Sequence, residues 1–217
     1  MRHAASGWPV FSCMKLFLLG ATGRTGTHLL ELALANGHHV TAFVRSAGKL
    51  APRERLTIVE GDPRTGRGLA AALIGHDAVL SVVGAYPSEA LRPSTLMTDC
   101  GVALVRAMRE AQVDRLAILS AAVLFPGEGF FYAFFRWLLK HHARDLEGME
   151  RAVRDTDLAW TIARPPRLVQ RGSLDYRQAV NALPAGGTSM HYRAVAAFML
   201  EAVEQGRHVR EIVGIAR

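Results

Sequence analysis

Short apolar runs alternate with helical periods along almost the whole chain. The apolar runs predict strands over residues 15–19, 39–44, 56–60, 78–83, 115–120, 159–163 and 209–215. The segments between them predict helices over residues 24–36, 69–74, 94–112, 129–156 and 191–204. Strands that alternate with helices form a parallel sheet covered on both faces. The pattern therefore predicts an α/β protein with a doubly wound, mostly parallel sheet, which binds its ligand outside the carboxyl ends of the strands.

Length, composition and charge fit a single globular domain with small anionic partners. The chain has 217 residues, of which 50% are hydrophobic and 21% charged, and its net charge is +7. This balance excludes a disordered protein and favours nucleotides or phosphates as partners. Basic residues are scattered and apolar runs are short, so neither nucleic-acid binding nor an integral membrane segment is expected.

Residues 1–13 are predicted to be a disordered extension, and residues 14–217 are predicted to form the domain. Met14 is a candidate native start. The two cysteines lack metal-site spacing, so no metal is expected.

A glycine-rich turn follows the first predicted strand. Three glycines alternate with small polar and basic residues in the order Gly20, Thr22, Gly23, Arg24, Thr25 and Gly26. A glycine can adopt a positive φ, and its missing Cβ lets a pyrophosphate approach the backbone N–H groups of a helix N-terminus. A plain turn between a strand and a helix is the alternative. The position between the first strand and the first helix favours phosphate binding.

The end of the second predicted strand distinguishes between two dinucleotides. Arg45 follows that strand directly, with Ser46 and Lys49 close by, and no carboxylate is present to hold ribose hydroxyls as in an NAD site. An arginine and a lysine match a 2′-phosphate instead, which predicts NADPH rather than NADH. An ordinary surface arginine is the alternative for Arg45. Asp62, after the third strand, is predicted either to accept a hydrogen bond from the adenine amino group or to be a turn aspartate.

Seven short motifs together carry a family resemblance. They are GATGRTG at 20–26, VR at 44–45, GD at 61–62, DAVLSVVG at 77–84, PSTLMTD at 93–99, LS at 119–120 and WTIARPP at 160–166. With these motifs the chain resembles the atypical short-chain dehydrogenase/reductases of the NAD(P)H-binding, NmrA-like group, and within it the biliverdin-IXβ reductase/flavin reductase family. The resemblance covers the chain from Met14 onwards. It implies a Rossmann-type domain, NADPH as cofactor and an oxidoreductase activity.

The resemblance also implies roles for individual residues. The turn glycines with Thr22, Arg24 and Thr25 would hold the pyrophosphate, and Arg45, Ser46 and Lys49 the 2′-phosphate. The adenine would face Asp62, the ribose would lie between Val83 and Gly84, and the nicotinamide would contact Pro165 and Pro166. Ser120, at the end of the fifth strand, is the candidate catalytic residue beside the nicotinamide, where its hydroxyl can donate a hydrogen bond to the substrate.

Departures from the family pattern concern the substrate side. Arg167 stands where biliverdin reductase has a histidine just after its proline pair. The Tyr-x-x-x-Lys pair of ordinary short-chain dehydrogenases is missing, because Tyr132 is followed four residues later by Arg136. The candidate substrate contacts are Phe125, Tyr132 and Arg167. The aromatic segment 130–137 is interpreted as a lid over a flat acceptor, as core or subunit-interface packing, or as a membrane-surface contact.

Two functions of different classes fit these features. The first is an NADPH-dependent reductase that transfers hydride to a flavin, a quinone or a similar conjugated acceptor. The second is a non-catalytic NADP(H)-binding redox sensor that acts through a protein partner. An enzyme of the sugar-nucleotide or isomerase type is disfavoured, because the chain is short for the extra substrate domain of such enzymes. We expect a cytoplasmic monomer or homodimer.

Overall fold

The computed structural model describes residues 13–84, 92–127, 134 and 136–217. The strands in this part of the chain are β1 (Lys15–Leu19), β2 (His39–Val44), β3 (Leu56–Glu60), β4 (Ala78–Ser81), β5 (Arg115–Leu119), β6 (Ala159–Arg164), β7 (Arg167–Val169), β8 (Arg177–Val180), β9 (Ser189–His191) and β10 (Glu211–Ala216). The helices are α1 (Arg24–Ala35), α2 (Leu69–Leu73), α3 (Leu96–Ala111), α4 (Lys140–Arg154) and α5 (Tyr192–Gln205). Short 3₁₀ turns cover Ala47–Lys49 and Ala122–Leu124.

Eight of these strands form one sheet in the order β3-β2-β1-β4-β5-β6-β10-β8. Neighbouring strands run parallel, except that β8 pairs antiparallel with β10 at the edge. β7 and β9 pair separately as a two-stranded parallel ladder. The strand order reverses at β1, which pairs with both β2 and β4, and such a reversal leaves a crevice outside the strand ends. The predicted α/β, doubly wound, mostly parallel sheet is confirmed.

Helices cover both faces of this sheet and build two hydrophobic cores. On one face, α1 and α5 supply apolar side chains such as Leu29 and Met199. On the other face, α2, α3 and α4 do so, with Met108 and Met149 among the buried side chains. α3 and α4 approach closely, because a Cβ added at Gly101 would lie 2.9 Å from Cγ of Met149. The strands are therefore buried on both faces, as their continuous apolar runs predict.

The region between β6 and β10 differs most from the sequence prediction. The apolar patterns predict no strand there, whereas β7, β8 and β9 lie in it. Each is three or four residues long and mostly exposed or half-buried, so none shows the apolar run of a core strand. The strand predicted over 78–83 ends earlier, at Ser81. The helix predicted over 129–156 contains α4 (Lys140–Arg154). Residues 129–133 and 135 of this prediction lie outside the described part of the chain.

The predicted N-terminal extension lies outside the described residues except for Cys13, so the domain boundary stays a prediction. Met14 is fully buried, and its backbone N–H donates to Nδ1 of the buried His38 at 3.1 Å. In the ranges that the structure describes, no helix has both the length and the apolar character needed to cross a bilayer.

Candidate functional site

Close backbone contacts shape the glycine-rich turn between β1 and α1. Gly20 has a φ of +85°, and a Cβ there would lie 2.8 Å from the carbonyl oxygen of Val82. A Cβ at Gly26 would lie 2.0 Å from the carbonyl oxygen of Gly20, so α1 packs directly against the turn. The N–H of Gly23 donates to that same oxygen at 3.0 Å. α1 begins at Arg24 with no side-chain cap and no acidic residue in its first turn, and this favours an anion at its N-terminus.

A cleft of about 410 Å³ opens at the carboxyl ends of β1, β2 and β4, beside the reversal in strand order. Nine of the predicted cofactor contacts line it: Gly20, Thr22, Gly23, Arg24, Thr25, Arg45, Asp62, Val83 and Gly84. Arg64, Leu119, Leu168 and Tyr192 also belong to its wall. Predicted residues from four separate segments thus surround one cavity, at the place where a doubly wound sheet binds its ligand.

The charged residues of this lining are mostly basic. Among the described residues, the lining contains three arginines and one acidic residue: Arg24, Arg45, Arg64 and Asp62. Arg45 follows β2 directly and is exposed. Oδ1 of Asp62 accepts the N–H of Arg64 at 3.0 Å, so this aspartate does close a turn, while its side chain still borders the cleft. The excess of positive charge suits a ligand with several phosphate groups.

Arg64, Leu168 and Tyr192 line the cleft although no sequence pattern predicts them. Arg64 donates through Nη2 to Oδ2 of Asp99 on α3 at 3.0 Å, which holds its side chain at the cleft. The hydroxyl of Tyr192 accepts a hydrogen bond from Nη1 of Arg24 at 3.1 Å, across 168 positions of sequence. Such a contact depends on the whole sheet, and no local pattern predicts it.

Five predicted cofactor contacts and the candidate catalytic Ser120 lie outside the cleft lining. Gly26 packs beneath the glycine-rich turn. Ser46 lies just before the 3₁₀ turn that follows β2, Lys49 lies at its end, and both are exposed. Pro165 is buried, and its carbonyl oxygen accepts the N–H of Ala122 at 2.8 Å. Pro166 is half-buried, and Ser120 is buried.

Ser120 belongs to a buried polar network. Its Oγ donates to Oε1 of Glu150 at 2.5 Å. The Glu150 carboxylate also accepts hydrogen bonds from Arg164, from Nε at 2.9 Å and from Nη2 at 2.5 Å. Arg164 further donates Nη1 to the carbonyl oxygen of Leu124 at 3.2 Å. The sequence suggests no role for Glu150. The Ser120 hydroxyl, which is predicted to donate to a substrate, donates to Glu150 in the structure.

The candidate substrate contacts are not brought together in the described residues. Phe125 is buried, and its ring centre lies 4.8 Å from the guanidinium carbon of Arg164. Arg167 is exposed at the start of β7, and Tyr132 lies outside the described part. Trp137, from the aromatic segment 130–137, is 63% exposed. Within the described ranges, no three His, Cys, Asp or Glu side chains are placed to share a metal ion.

The geometry and charge of the cleft fit the pyrophosphate of a dinucleotide. The missing Cβ atoms of Gly20 and Gly26 keep the turn flat against the sheet, and the uncapped N-terminus of α1 points a positive dipole end at it. The lining adds more positive than negative charge. Backbone N–H groups, dipole and cations together are the elements that bind a pyrophosphate in doubly wound folds.

Two curated relatives come from Bacillus subtilis. YwnB is 32% identical over 109 residues, which are 50% of this chain and 48% of YwnB, so the chain spans about half the length of that relative. The uncharacterised sugar epimerase YhfK is 29% identical over 160 residues, which are 70% of this chain and 71% of YhfK.

Solved structures share the fold over nearly the whole chain. SP1627 from Streptococcus pneumoniae, provisionally named an NADH-flavin reductase, superposes with a TM-score of 0.74 at 24% identity, covering 94% of this chain and 99% of its own. A short-chain dehydrogenase/reductase from Veillonella parvula, solved in complex with NADP, gives a TM-score of 0.74 at 18% identity and covers 94% of both chains. The NAD(P)H-binding family model matches residues 20–206, from the first glycine of the turn to the end of α5. This chain belongs to the NAD(P)H-binding family of Rossmann-fold proteins.

Proposed function

We propose that the protein is an NADPH-dependent reductase that transfers hydride to a flavin, a quinone or a similar conjugated acceptor. Arg45 carries the proposal: it stands at the end of β2, in the wall of the cleft, where an NAD site would place a carboxylate. A guanidinium there pairs with a 2′-phosphate, which only NADPH has. Membership of the NAD(P)H-binding family supports the cofactor class.

Separate groups of residues, in the cleft lining and beside it, would then hold separate parts of the cofactor. Thr22, Arg24, Thr25 and the N-terminus of α1 would bind the pyrophosphate. Arg45 would bind the 2′-phosphate, with Ser46 and Lys49 approaching from the exposed 3₁₀ turn. The residues assigned to the remaining groups are Asp62 for the adenine, Val83 and Gly84 for the ribose, and Pro165 and Pro166 for the nicotinamide.

The proposed class of electron acceptor rests on a catalytic motif that is absent from the sequence. The Tyr-x-x-x-Lys pair that protonates ordinary carbonyl substrates is absent, because Arg136 occupies the lysine position after Tyr132. Bound NADPH supplies a hydride, and a proton from water completes the reduction of a conjugated acceptor, which leaves NADP⁺ and the reduced acceptor. The chain itself has to orient the acceptor and shield it from solvent. The name given to SP1627 agrees with a flavin acceptor.

The test is NADPH oxidation, followed by absorbance, with FMN, riboflavin, biliverdin or a simple quinone as acceptor and with NADH as the parallel cofactor. We expect acceptor-dependent turnover with a preference for NADPH. Arg45→Ala should lower kcat/KM for NADPH by about 10- to 100-fold, as expected for a lost charge-assisted hydrogen bond, and leave NADH unchanged. Arg171→Ala, at an exposed position outside the cleft lining, is the matched control. Equal losses with both cofactors would reject the 2′-phosphate assignment.

One observation favours the redox-sensor alternative. Phe134 is 45% exposed and Trp137 is 63% exposed, and exposed aromatic side chains are typical of protein-binding surfaces. A sensor would bind NADPH tightly and oxidise none of it with any acceptor. An epimerase, the class named for YhfK, would return the hydride to its own substrate and also show no net oxidation. Sustained acceptor-dependent oxidation therefore separates the reductase from both alternatives.

A further inference from the structure

We propose that a groove between α2 and α3 binds a small organic anion with an apolar body, and that this ligand weakens the binding of the dinucleotide in the neighbouring cleft. The groove has a volume of about 480 Å³, within the range of small-molecule sites. The loop after β3 forms one wall, and α2 and α3 form the rest. Of the described residues, only Arg64 lines both the groove and the cleft. The proposal needs a dinucleotide in the cleft but does not depend on the reductase activity.

The floor of the groove is apolar and consists of short side chains. Ala103 and Ala107 lie one turn apart on α3, and Ala70 of α2 lines the same space. Val102 also lines it and is 53% exposed. A Cβ at Gly66, in the loop after β3, would lie 3.2 Å from Cβ of Ala103, so the loop packs directly against α3. Because the side chains along α3 are short, room remains above them for an apolar group.

The charged residues of the groove carry more positive than negative charge. Three arginines and two carboxylates line it: Arg64, Arg67, Arg106, Asp99 and Glu110. Arg64 pairs with Asp99 at 3.0 Å. Arg106 pairs with Glu110 at 2.9 Å, so both carboxylates already have a counter-charge. Arg67 is exposed and takes part in none of the ion pairs between described residues. Its guanidinium can therefore bind the acidic group of a ligand that covers the apolar floor.

The lining suits a small molecule better than a protein partner. Protein interfaces are anchored by large aromatic or aliphatic side chains and by a broad contact area. Val102 is the one large apolar side chain in the lining that the structure describes. An acidic group on a compact apolar body, by contrast, would use both Arg67 and the alanine floor. We therefore assign the groove to small carboxylates, sulfonates or phosphates that carry an apolar group.

Arg64 connects the groove to the dinucleotide cleft. Its Nη2 donates to Oδ2 of Asp99 in the groove, and its side chain also lines the cleft. The hydroxyl of Thr95 donates to that same Oδ2 at 2.9 Å, which helps to hold the carboxylate in place. One positive charge thus borders both cavities. An anion in the groove offsets this charge and repels the phosphates of the dinucleotide. The effect is reciprocal, because each ligand changes the affinity of the other by the same factor.

Two fluorescent probes that differ only in a sulfonate test the site. They are 8-anilino-1-naphthalenesulfonate (ANS) and the uncharged N-phenyl-1-naphthylamine. Their dissociation constants are measured by fluorescence titration of the full chain saturated with NADP⁺, so that the cleft is filled. Arg67→Glu should weaken ANS binding about tenfold, the effect of one charge-assisted hydrogen bond, and leave the uncharged probe unchanged. Val102→Asp should weaken both probes, because it places a carboxylate over the apolar floor.

Arg109→Glu is the matched control. Arg109 is also an exposed arginine, on α3 but outside the linings of both cavities, and its substitution changes the net charge by the same amount as Arg67→Glu. It should leave both dissociation constants unchanged. The proposal is wrong if ANS does not bind, if its binding survives both groove substitutions, or if Arg109→Glu weakens it as much as Arg67→Glu. A loss of the uncharged probe in Arg67→Glu would also overturn it.

Calorimetric titration with NADP⁺, with and without ANS, measures the coupling between groove and cleft. At the lowest ANS concentration that saturates the native protein, we expect the dissociation constant of NADP⁺ to rise about threefold, the effect of one extra charge near an exposed site. The rise should be smaller in Arg67→Glu at the same ANS concentration. No rise in the native protein would overturn the proposal. An equal rise in Arg67→Glu would do so as well, because ANS would then be competing inside the cleft itself.

Discussion

Gly26→Ala sets two opposing effects against each other in the first turn of α1. Alanine is the better helix former, by about 1 kcal/mol in an exposed helix interior. The new Cβ, however, would lie 2.0 Å from the carbonyl oxygen of Gly20, whereas ordinary contact begins at 3.4 Å. It would also lie 2.9 Å from Cα of Ala21. All of these neighbours are backbone atoms, so no flexible side chain can move aside.

Overpacking of this kind costs about 1–3 kcal/mol, and rigid neighbours place this site at the upper end of that range. Subtracting the gain in helix propensity leaves a net loss of about 2 kcal/mol in the free energy of unfolding. This is a large part of the stability of an ordinary domain. The helix has to move away from the turn, so binding of NADPH should weaken at the same time.

Urea unfolding followed by circular dichroism measures the loss, and titration with NADPH measures the affinity. Gly48→Ala is the matched control, since a Cβ there meets nothing within 4 Å, and its free energy of unfolding should be unchanged or slightly higher. A Gly26→Ala protein as stable as the native one would refute the steric argument. A more stable one would show that helix propensity dominates at this position.

Three further predictions concern buried groups elsewhere. Iodoacetamide at pH 8 should alkylate the exposed Cys13 and spare Cys100 in a mass spectrum, because burial raises the pKa of Cys100 to about 12. Burial lowers the pKa of His76, so the unfolded chain binds its proton more readily and stability should fall as the pH drops below about 6.5; His76→Gln should flatten this part of the urea-stability profile. Arg164→Met should lower the free energy of unfolding by about 3–5 kcal/mol, measured in urea, because Glu150 is left buried without its counter-charge.

The fold and the phosphate end of the cleft could be predicted because their signals are local. β1, the glycine turn and α1 follow one another directly, and Arg45 follows β2 in sequence. The strand ends of a parallel sheet then gather at one edge, which brings these separate segments together. The glycine spacing indicates the turn at Gly20, which has a positive φ in the structure, whereas the close contact of Gly26 with the Gly20 carbonyl oxygen is visible only in the structure.

Other contacts could not be predicted from the sequence because they depend on long-range packing. Tyr192 meets Arg24 across 168 positions, and Ser120 meets Glu150 across 30. In sequence, Glu150 is one of several acidic residues on a basic amphipathic helix, and only the burial of α4 makes it a partner of Ser120. β7, β8 and β9 are short and largely exposed, so they leave no apolar run to detect.

The contact between Arg24 and Tyr192 also bears on the resistance of the protein to proteolysis. The cleft joins the first βα unit to the N-terminus of α5, so one occupant would fasten early and late parts of the chain to each other. A ligand at 100 times its dissociation constant adds about 2.7 kcal/mol to the free energy of unfolding. Resistance to proteases should therefore rise and fall with the supply of NADP(H), and abundance of the protein would report on that supply.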